Sequence, residues 1–204
     1  MYKKVILALL MAALLAGGVF AEGSWMSAGA GGLFDLSGNN GVKNGGDYAG
    51  ARILTLGFYG FFDLTYAEVD VSYAYGKLTT VSSQGDFRDY DSRVWQLGLT
   101  FLGKYPFELG DFTLFPLLGF NYNVIVSHIT AGKADPEPGK WNQLGILAGV
   151  GADFDLTDDL YLRGEGMFHL RLPSTFMKEA ASGWDGSATL GMGPRLKFGV
   201  GYRF

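Results

Sequence analysis

The sequence contains no cysteine, and after its first residues it has no long apolar run. Without cysteine the chain cannot form disulfides, and we expect no lipid anchor attached through a cysteine. A membrane-spanning helix needs about 20 consecutive apolar residues, and no such stretch follows Ala21. Charged residues make up only 18%, against about 25% in soluble domains. These absences exclude a disulfide-stabilised domain and a membrane protein built from helices.

Positive charge is also scarce once the amino-terminal segment is set aside. Residues 1–21 combine basic Lys3 and Lys4, an apolar run over residues 5–15 and a small-residue exit at Ala21, which predicts a cleavable secretory signal. The remaining residues 22–204 form one predicted domain, with 14 basic side chains (16 minus Lys3 and Lys4) against 20 acidic ones. This acidic balance argues against nucleic acid as a partner.

Glycine and aromatic residues are abundant, and their arrangement at the end of the chain indicates the fold class. The last nine residues alternate between an apolar face and a face of small or charged side chains, Lys197, Gly199, Gly201 and Arg203. This alternation is typical of a barrel strand with lipid outside and a polar lumen inside. The apolar face also resembles the terminal assembly signal of bacterial outer-membrane barrels, formed here by Phe198, Val200, Tyr202 and Phe204.

The same alternation recurs along the chain and predicts an all-β fold, a closed eight-stranded antiparallel transmembrane barrel with up-and-down topology. The predicted strands cover residues 25–36, 52–62, 65–75, 95–101, 112–124, 143–154, 160–171 and 188–204. Short links should lie on the periplasmic side and long links outside the cell. Pro116 and Pro194 fall within strands, so we expect a bulge or kink at each.

Charged side chains on the inward faces predict a closed lumen. They are Glu68, Asp70, Arg163, Glu165, Arg195 and Lys197. Charges in a narrow lumen must be paired, and we expect Glu165 to lie level with Arg195 and Lys197. Such pairing would fill the lumen and leave no permanent open pore.

Only two histidines occur, His128 and His169, and they give little support to catalysis or metal binding. Ser127 and His128 are adjacent and would point to opposite faces of a strand, with no acid nearby in register. Two isolated histidines also lack the third ligand of a metal site. We therefore predict no enzymatic activity, no metal and no cofactor.

Three segments of the second half resemble OmpW-like barrels: Leu114–Asn123, Ala148–Leu162 and Phe198–Phe204. OmpX-like proteins and the transmembrane domain of OmpA-like proteins share these motifs in looser form. The resemblance implies a monomeric barrel of the outer membrane that admits small hydrophobic molecules from outside. The sequence departs from that family where Glu68, Asp70, Arg163 and Glu165 make the lumen polar.

Two functions are therefore open on the sequence. In the first, a small hydrophobic ligand enters through the outer loops of an OmpW-like barrel; in the second, the barrel is a closed scaffold whose loops bind a surface partner or act as an adhesin. A cluster of loop side chains would favour ligand capture: Trp141, Phe176, Met177 and Trp184. The predicted surroundings are outer-membrane lipid and lipopolysaccharide, and the predicted transient partner is the outer-membrane assembly machinery.

Overall fold

The computed structural model describes residues 26–42, 48–82, 87–130, 132–172 and 191–204. The predicted signal peptide and the loop residues Phe176, Met177 and Trp184 lie outside these ranges. Within them, no helix has the length and apolar character needed to cross a bilayer.

The described residues form ten strands, and eight of them close into a barrel. The strands are β1 (Ser27–Val42), β2 (Tyr48–Asp63), β3 (Ala67–Ser82), β4 (Phe87–Lys104), β5 (Phe107–Leu109), β6 (Phe112–Thr130), β7 (Lys133–Ala134), β8 (Gln143–Asp155), β9 (Leu160–Arg171) and β10 (Gly191–Arg203). Each long strand pairs with its neighbour in sequence, β10 pairs with β1, and β4 pairs with β6. The short strands β5 and β7 pair only with β6, and a short 3-10 helix covers Pro138–Trp141.

The predicted fold class is confirmed, because every pairing is antiparallel and the ring is closed. When the pairing partner of each residue is followed from Ser27 once around the barrel, the path returns to β1 at Ser37. The strand register is therefore shifted by ten residues (37 minus 27). A shift of this kind means that the strands are tilted against the barrel axis, as closure requires. A small eight-stranded barrel of this type has an interior that side chains can fill.

Apolar side chains cover the outside, and aromatic pairs mark two levels of it. On the periplasmic side, Phe62 lies 6.3 Å from Phe204 and Phe112 lies 4.8 Å from Phe154, measured between ring centroids. On the other side, Trp95 contacts the rings of Tyr73 and Tyr75 at 5.4 and 5.0 Å. Aromatic rings at two such levels are typical of the two water interfaces of a membrane. We call these levels the periplasmic girdle and the outer girdle.

The turns at the periplasmic end are short. In the link between β2 and β3, the backbone N–H of Leu64 donates to the carbonyl of Ala67 at 2.8 Å, and Thr65 adopts a positive φ of 61°. Thr65 was predicted to be the first residue of the third strand. It is instead a buried turn residue, and the strand begins at Ala67.

The two prolines do not produce the predicted bulges. Pro116 pairs in register with Val150, and β6 has no partner on its other side there, because the β4 pairing ends at Leu117 and the β5 pairing starts at Leu114. Its missing N–H therefore costs no hydrogen bond on that side. At Pro194 the pairing of β10 with β1 is interrupted, but the register before and after is the same. Register shifts occur instead at Leu78/Thr80 and at Trp95/Gln96.

A charge on the lipid face near the middle of β8 should destabilise the barrel. Val150 is 66% exposed on the outer surface, between Phe154 of the periplasmic girdle and the outer end of the strand. On the lipid face of a barrel, an arginine costs roughly 2 to 4 kcal/mol at the membrane midplane and about 0 to 1 kcal/mol near an interface. Val150→Arg should therefore lower the free energy of unfolding by roughly 2 to 4 kcal/mol. The control is Leu156→Arg, in the exposed turn after β8.

Reversible denaturant unfolding of the protein in lipid vesicles would measure both variants. An equal loss in both, or a larger loss for Leu156→Arg, would mean that Val150 does not face the centre of the bilayer.

Candidate functional site in the barrel lumen

The periplasmic half of the lumen holds a group of eight buried charged side chains, which we call the inner ion cluster. It comprises Asp63, Glu68, Asp70, Lys104, Asp153, Arg163, Glu165 and Lys197. They come from six different strands. They converge because every second side chain of a strand points into the lumen, and these residues occupy such positions. Five of them are carboxylates and three are cations, and Arg163 and Lys197 each contact three carboxylates.

Arg163 lies at the centre of the inner ion cluster. Its Nε and Nη2 donate to the two carboxylate oxygens of Asp153, both at 2.7 Å, in the bidentate geometry that suits a guanidinium. Its Nη1 donates to Oε2 of Glu68 at 2.5 Å, and its Nη2 also donates to Asp63 at 2.5 Å. Lys104 donates to the same carboxylate of Asp63. Arg163 on β9 is therefore joined directly to β2, β3 and β8.

Lys197 extends the inner ion cluster toward the outer side. Its Nζ lies 3.0 Å from Glu68, 2.8 Å from Asp70 and 2.6 Å from Glu165. Glu68 is therefore shared between Lys197 and Arg163. The ammonium group also lies 4.7 Å from the ring centroid of Tyr59, which adds a cation–π contact.

Aromatic rings fill the space around these charges, and inward glycines make room for them. The guanidinium carbon of Arg163 lies 4.6 Å from the ring of Phe61 and 5.2 Å from the rings of both Phe115 and Tyr161. A Cβ atom would collide with each ring if it were added to the opposing glycine, namely Gly29 at Phe61, Gly151 at Phe115 and Gly201 at Tyr161. Rings and charges together leave this half of the lumen packed rather than open.

A second group, the outer ion cluster, surrounds Asp35 in the other half of the lumen. Asp35 accepts from Nε of Arg195 at 2.9 Å and from Nη2 of Arg171 at 3.1 Å, and it lies 2.8 Å from Nδ1 of His169. Arg171 also donates to Oε1 of Gln143 at 2.9 Å. Because a carboxylate can only accept, Nδ1 of His169 carries a proton.

The lining beside the outer ion cluster is polar. Five buried inward side chains have no hydrogen-bond partner among the described residues: Ser37 and Thr55 near Asp35, Asn121 near His169, and Thr100 and Asn123 on β4 and β6. Burying such groups against an apolar molecule would cost free energy, because their donors and acceptors would remain unsatisfied. The outer half of the lumen is therefore suited to water or polar solutes.

A third polar group lies at the outer mouth of the barrel. Oγ of Ser92 on β4 is 2.9 Å from Nε2 of His128 on β6, and Nδ1 of His128 is 3.5 Å from Oδ2 of Asp135. The sequence did not indicate this group, because Ser127 was considered as the partner of His128 and no acid was expected nearby. A change of chain direction at the hairpin between β6 and β7 brings Asp135 back to His128.

The structure places the sequence-predicted site residues in three locations. Glu68, Asp70, Arg163, Glu165 and Lys197 come together in the inner ion cluster, whereas Arg195 contacts Asp35 in the outer ion cluster. The terminal residues Phe198, Val200, Tyr202 and Phe204 all face outward, and their role in assembly remains a prediction. Trp141 ends the 3-10 helix, and its predicted partners lie outside the described residues.

The predicted charge network did not include Asp35, Asp63, Lys104 and Asp153. Asp35 contacts the predicted Arg195, Asp63 and Asp153 contact the predicted Arg163, and Lys104 contacts Asp63. Asp63 and Lys104 end their strands, where alternation is a weak guide. Asp35 and Asp153 are at inward positions, so the alternation did contain a signal for them.

Among the described residues, no group of three or more histidine and acidic side chains could hold a metal ion.

Removing the charge of Lys197 should destabilise the barrel strongly. The variant Lys197→Met has nearly the same shape, but it removes the cation that pairs with Asp70 and Glu165 and one of the two cations that pair with Glu68. Because an unpaired buried charge costs about 3 to 5 kcal/mol, the free energy of unfolding should fall by that amount. The matched control is Arg203→Met, which removes a partly exposed pair with Asp155 and should cost about 1 kcal/mol or less.

Both variants can be compared with the wild type by urea unfolding in the same lipid vesicles. A cost below 1 kcal/mol for Lys197→Met would show that the carboxylates of the inner ion cluster do not depend on this cation.

Comparison with known proteins gives matches to solved structures alone. No family model matches the chain, and no curated protein matches it. Neisserial surface protein A is 13% identical with a TM-score of 0.54, over 90% of this chain and 100% of that one. The outer membrane protein OprG from Pseudomonas aeruginosa is 14% identical with a TM-score of 0.50, over 89% of this chain and 96% of that one. At these identities the likeness concerns the fold. By its fold, its apolar exterior and its two aromatic girdles, the chain is an eight-stranded β-barrel of the outer-membrane type.

Proposed function

We propose that this protein is a closed outer-membrane barrel that acts at its extracellular end as a surface-binding module and does not conduct through its lumen. The observation that carries the proposal is the inner ion cluster, whose members contact one another across the barrel. Arg163 alone joins three carboxylates from three strands. A conducting path would have to separate these pairs, and each separated charge would need another partner.

The length of the strands beyond the outer girdle supports an extracellular role. β4 begins at Phe87, eight residues before Trp95, and β3 continues for seven residues after Tyr75 to Ser82. At about 3.3 Å per residue, each extension is more than 20 Å long along the strand. Lipid contact does not require these extensions. They provide a rigid extracellular surface on which a partner, or lipopolysaccharide, could dock.

The second candidate is the OmpW-like function, in which a small hydrophobic molecule enters from outside and leaves sideways into lipid. One observation favours it. The pairing of β10 with β1 is interrupted at Pro194, between the pairs Asp35–Arg195 and Gly38–Met192. The barrel wall therefore has fewer cross-strand pairs at this point. The polar lining around Asn121 and Asn123 favours the first candidate, because it would not stabilise an apolar molecule.

Electrical recording tests the closed lumen. The wild-type protein in a planar lipid bilayer should show no stable single-channel steps, because the side chains of the inner ion cluster and the surrounding rings fill the lumen. The positive control is the double variant Arg163→Ala and Phe115→Ala, which removes two of the largest buried side chains and should produce steps. Stable steps in the wild type would contradict the proposal.

A flux measurement separates the two candidates. Vesicles that contain the wild-type protein should take up an apolar fluorescent dye no faster than protein-free vesicles if the barrel is only a surface-binding module. Faster uptake, together with absent conductance, would instead support the OmpW-like function.

A further inference from the structure

We propose that Ser92, His128 and Asp135 form a nucleophilic serine centre at the outer mouth of the barrel, and that it hydrolyses small water-soluble acyl esters. Catalysis of this type requires a hydroxyl in contact with a general base and an acid that orients the base. The three side chains meet this requirement in the correct order. Ser92 Oγ lies 2.9 Å from His128 Nε2, and Asp135 Oδ2 lies 3.5 Å from His128 Nδ1.

The acid fixes the direction of the hydrogen bonds. A carboxylate of Asp135 can only accept, so a neutral His128 carries its proton on Nδ1. Nε2 of His128 is then the unprotonated ring nitrogen, and it accepts the hydrogen bond of the Ser92 hydroxyl. This is the arrangement in which a histidine can remove that proton as the hydroxyl attacks.

Local structure holds Asp135 in place. β6 and β7 form a tight hairpin in which Ile129 pairs with Ala134, and Gly132 has a positive φ of 76°. The backbone N–H of Asp135 donates to the carbonyl of His128 at 2.8 Å. The second carboxylate oxygen, Oδ1, accepts from the backbone N–H of Glu137 at 2.9 Å. The acid is therefore positioned by the backbone on both sides of the hairpin.

Two strand irregularities flank Ser92. Leu78 pairs with Ser92 immediately before a register shift between β3 and β4, and a second shift lies at Trp95/Gln96 between β4 and β6. Such irregularities turn side chains away from their regular direction and are frequent beside active sites. Here they occur in the pairings on both sides of β4, the strand that contains Ser92.

The position of the centre limits its substrates. Ser92 lies three residues beyond Trp95 of the outer girdle, and both Ser92 and His128 are buried on the inner side of the wall. The acyl chains of the bilayer are in contact with the opposite side. A substrate must therefore enter from the outer solution, through the mouth of the barrel, which favours a small soluble ester over a membrane lipid.

The reaction balances with water as the second substrate. Ser92 Oγ bonds to the ester carbonyl carbon while its proton passes to His128 Nε2. The alcohol leaves with that proton as the carbonyl is restored, and the acyl group remains on Ser92. Water then adds to the acyl carbon, again losing a proton to His128, and the acid is released as the proton returns to Ser92. Asp135 is a positioning residue, which stabilises the cationic imidazole in both steps.

The first test is covalent labelling of the folded, reconstituted protein with a fluorophosphonate probe. A nucleophilic serine displaces fluoride from phosphorus, so mass spectrometry of the digested protein should find one adduct on Ser92. Ser127→Ala is the matched control, since it removes the serine hydroxyl next to His128 and should label normally. Failure to label Ser92, or labelling of another serine in its place, would overturn the proposal.

The second test is the hydrolysis of p-nitrophenyl acetate by variants that have been shown to fold. Ser92→Ala should lower kcat by about 10²-fold or more, whereas Ser127→Ala should leave it unchanged. Asp135→Asn should lower kcat by at least about 10-fold with little change in KM, because it affects the base and not substrate binding.

A purely structural hydrogen-bond chain would give a different result. It would secure the β6–β7 hairpin but produce no adduct, and all three variants would hydrolyse the ester at the wild-type rate. That result would overturn the proposal and would leave the closed barrel, which the bilayer recordings test separately, untouched.

Discussion

The pairing of charges inside the lumen is the constraint on which the rest of this structure depends. A charge that is buried in a narrow, packed interior is tolerated only with partners, and Arg163 has three carboxylates around it. These contacts link residues far apart in the chain, since Glu68 and Arg163 are 95 residues apart. The pairs therefore specify which strands face each other, in addition to closing the lumen. A shift of one residue in any of these strands would turn its charges toward lipid.

Glycine and aromatic positions follow from the same constraint. The rings of Phe61, Phe115 and Tyr161 can contact Arg163 only because opposing positions have no Cβ atom. The high glycine content of the sequence is thus a packing requirement of a small barrel with large inward side chains. The outer half is different, because its polar residues surround the smaller cluster at Asp35. The inner half of the lumen is therefore closed by packed side chains, and the functions proposed above are located at the extracellular end.

The sequence predicted the barrel because alternation is a local property. The inward positions of Lys197 and Glu165 follow from a period of two within β10 and β9. Alternation does not contain the pairing register between distant strands, so the assignment of Arg195 to Asp35 could not be predicted. The ends of strands are likewise weakly determined, and Asp63 and Lys104 were missed there. The hairpin that brings Asp135 to His128 depends on a two-residue strand, which is too short for any periodicity to indicate.

A double-mutant cycle between Arg163 and Asp153 tests the central claim most directly. Arg163→Gln, Asp153→Asn and the double variant would be unfolded reversibly in lipid vesicles and compared with the wild type. If the two groups stabilise each other, the sum of the free-energy costs of the two single variants should exceed the cost of the double variant by at least about 1.5 kcal/mol. Costs that add to within about 0.5 kcal/mol would mean that the pair is not coupled, and would contradict the account of a lumen held closed by its own charges.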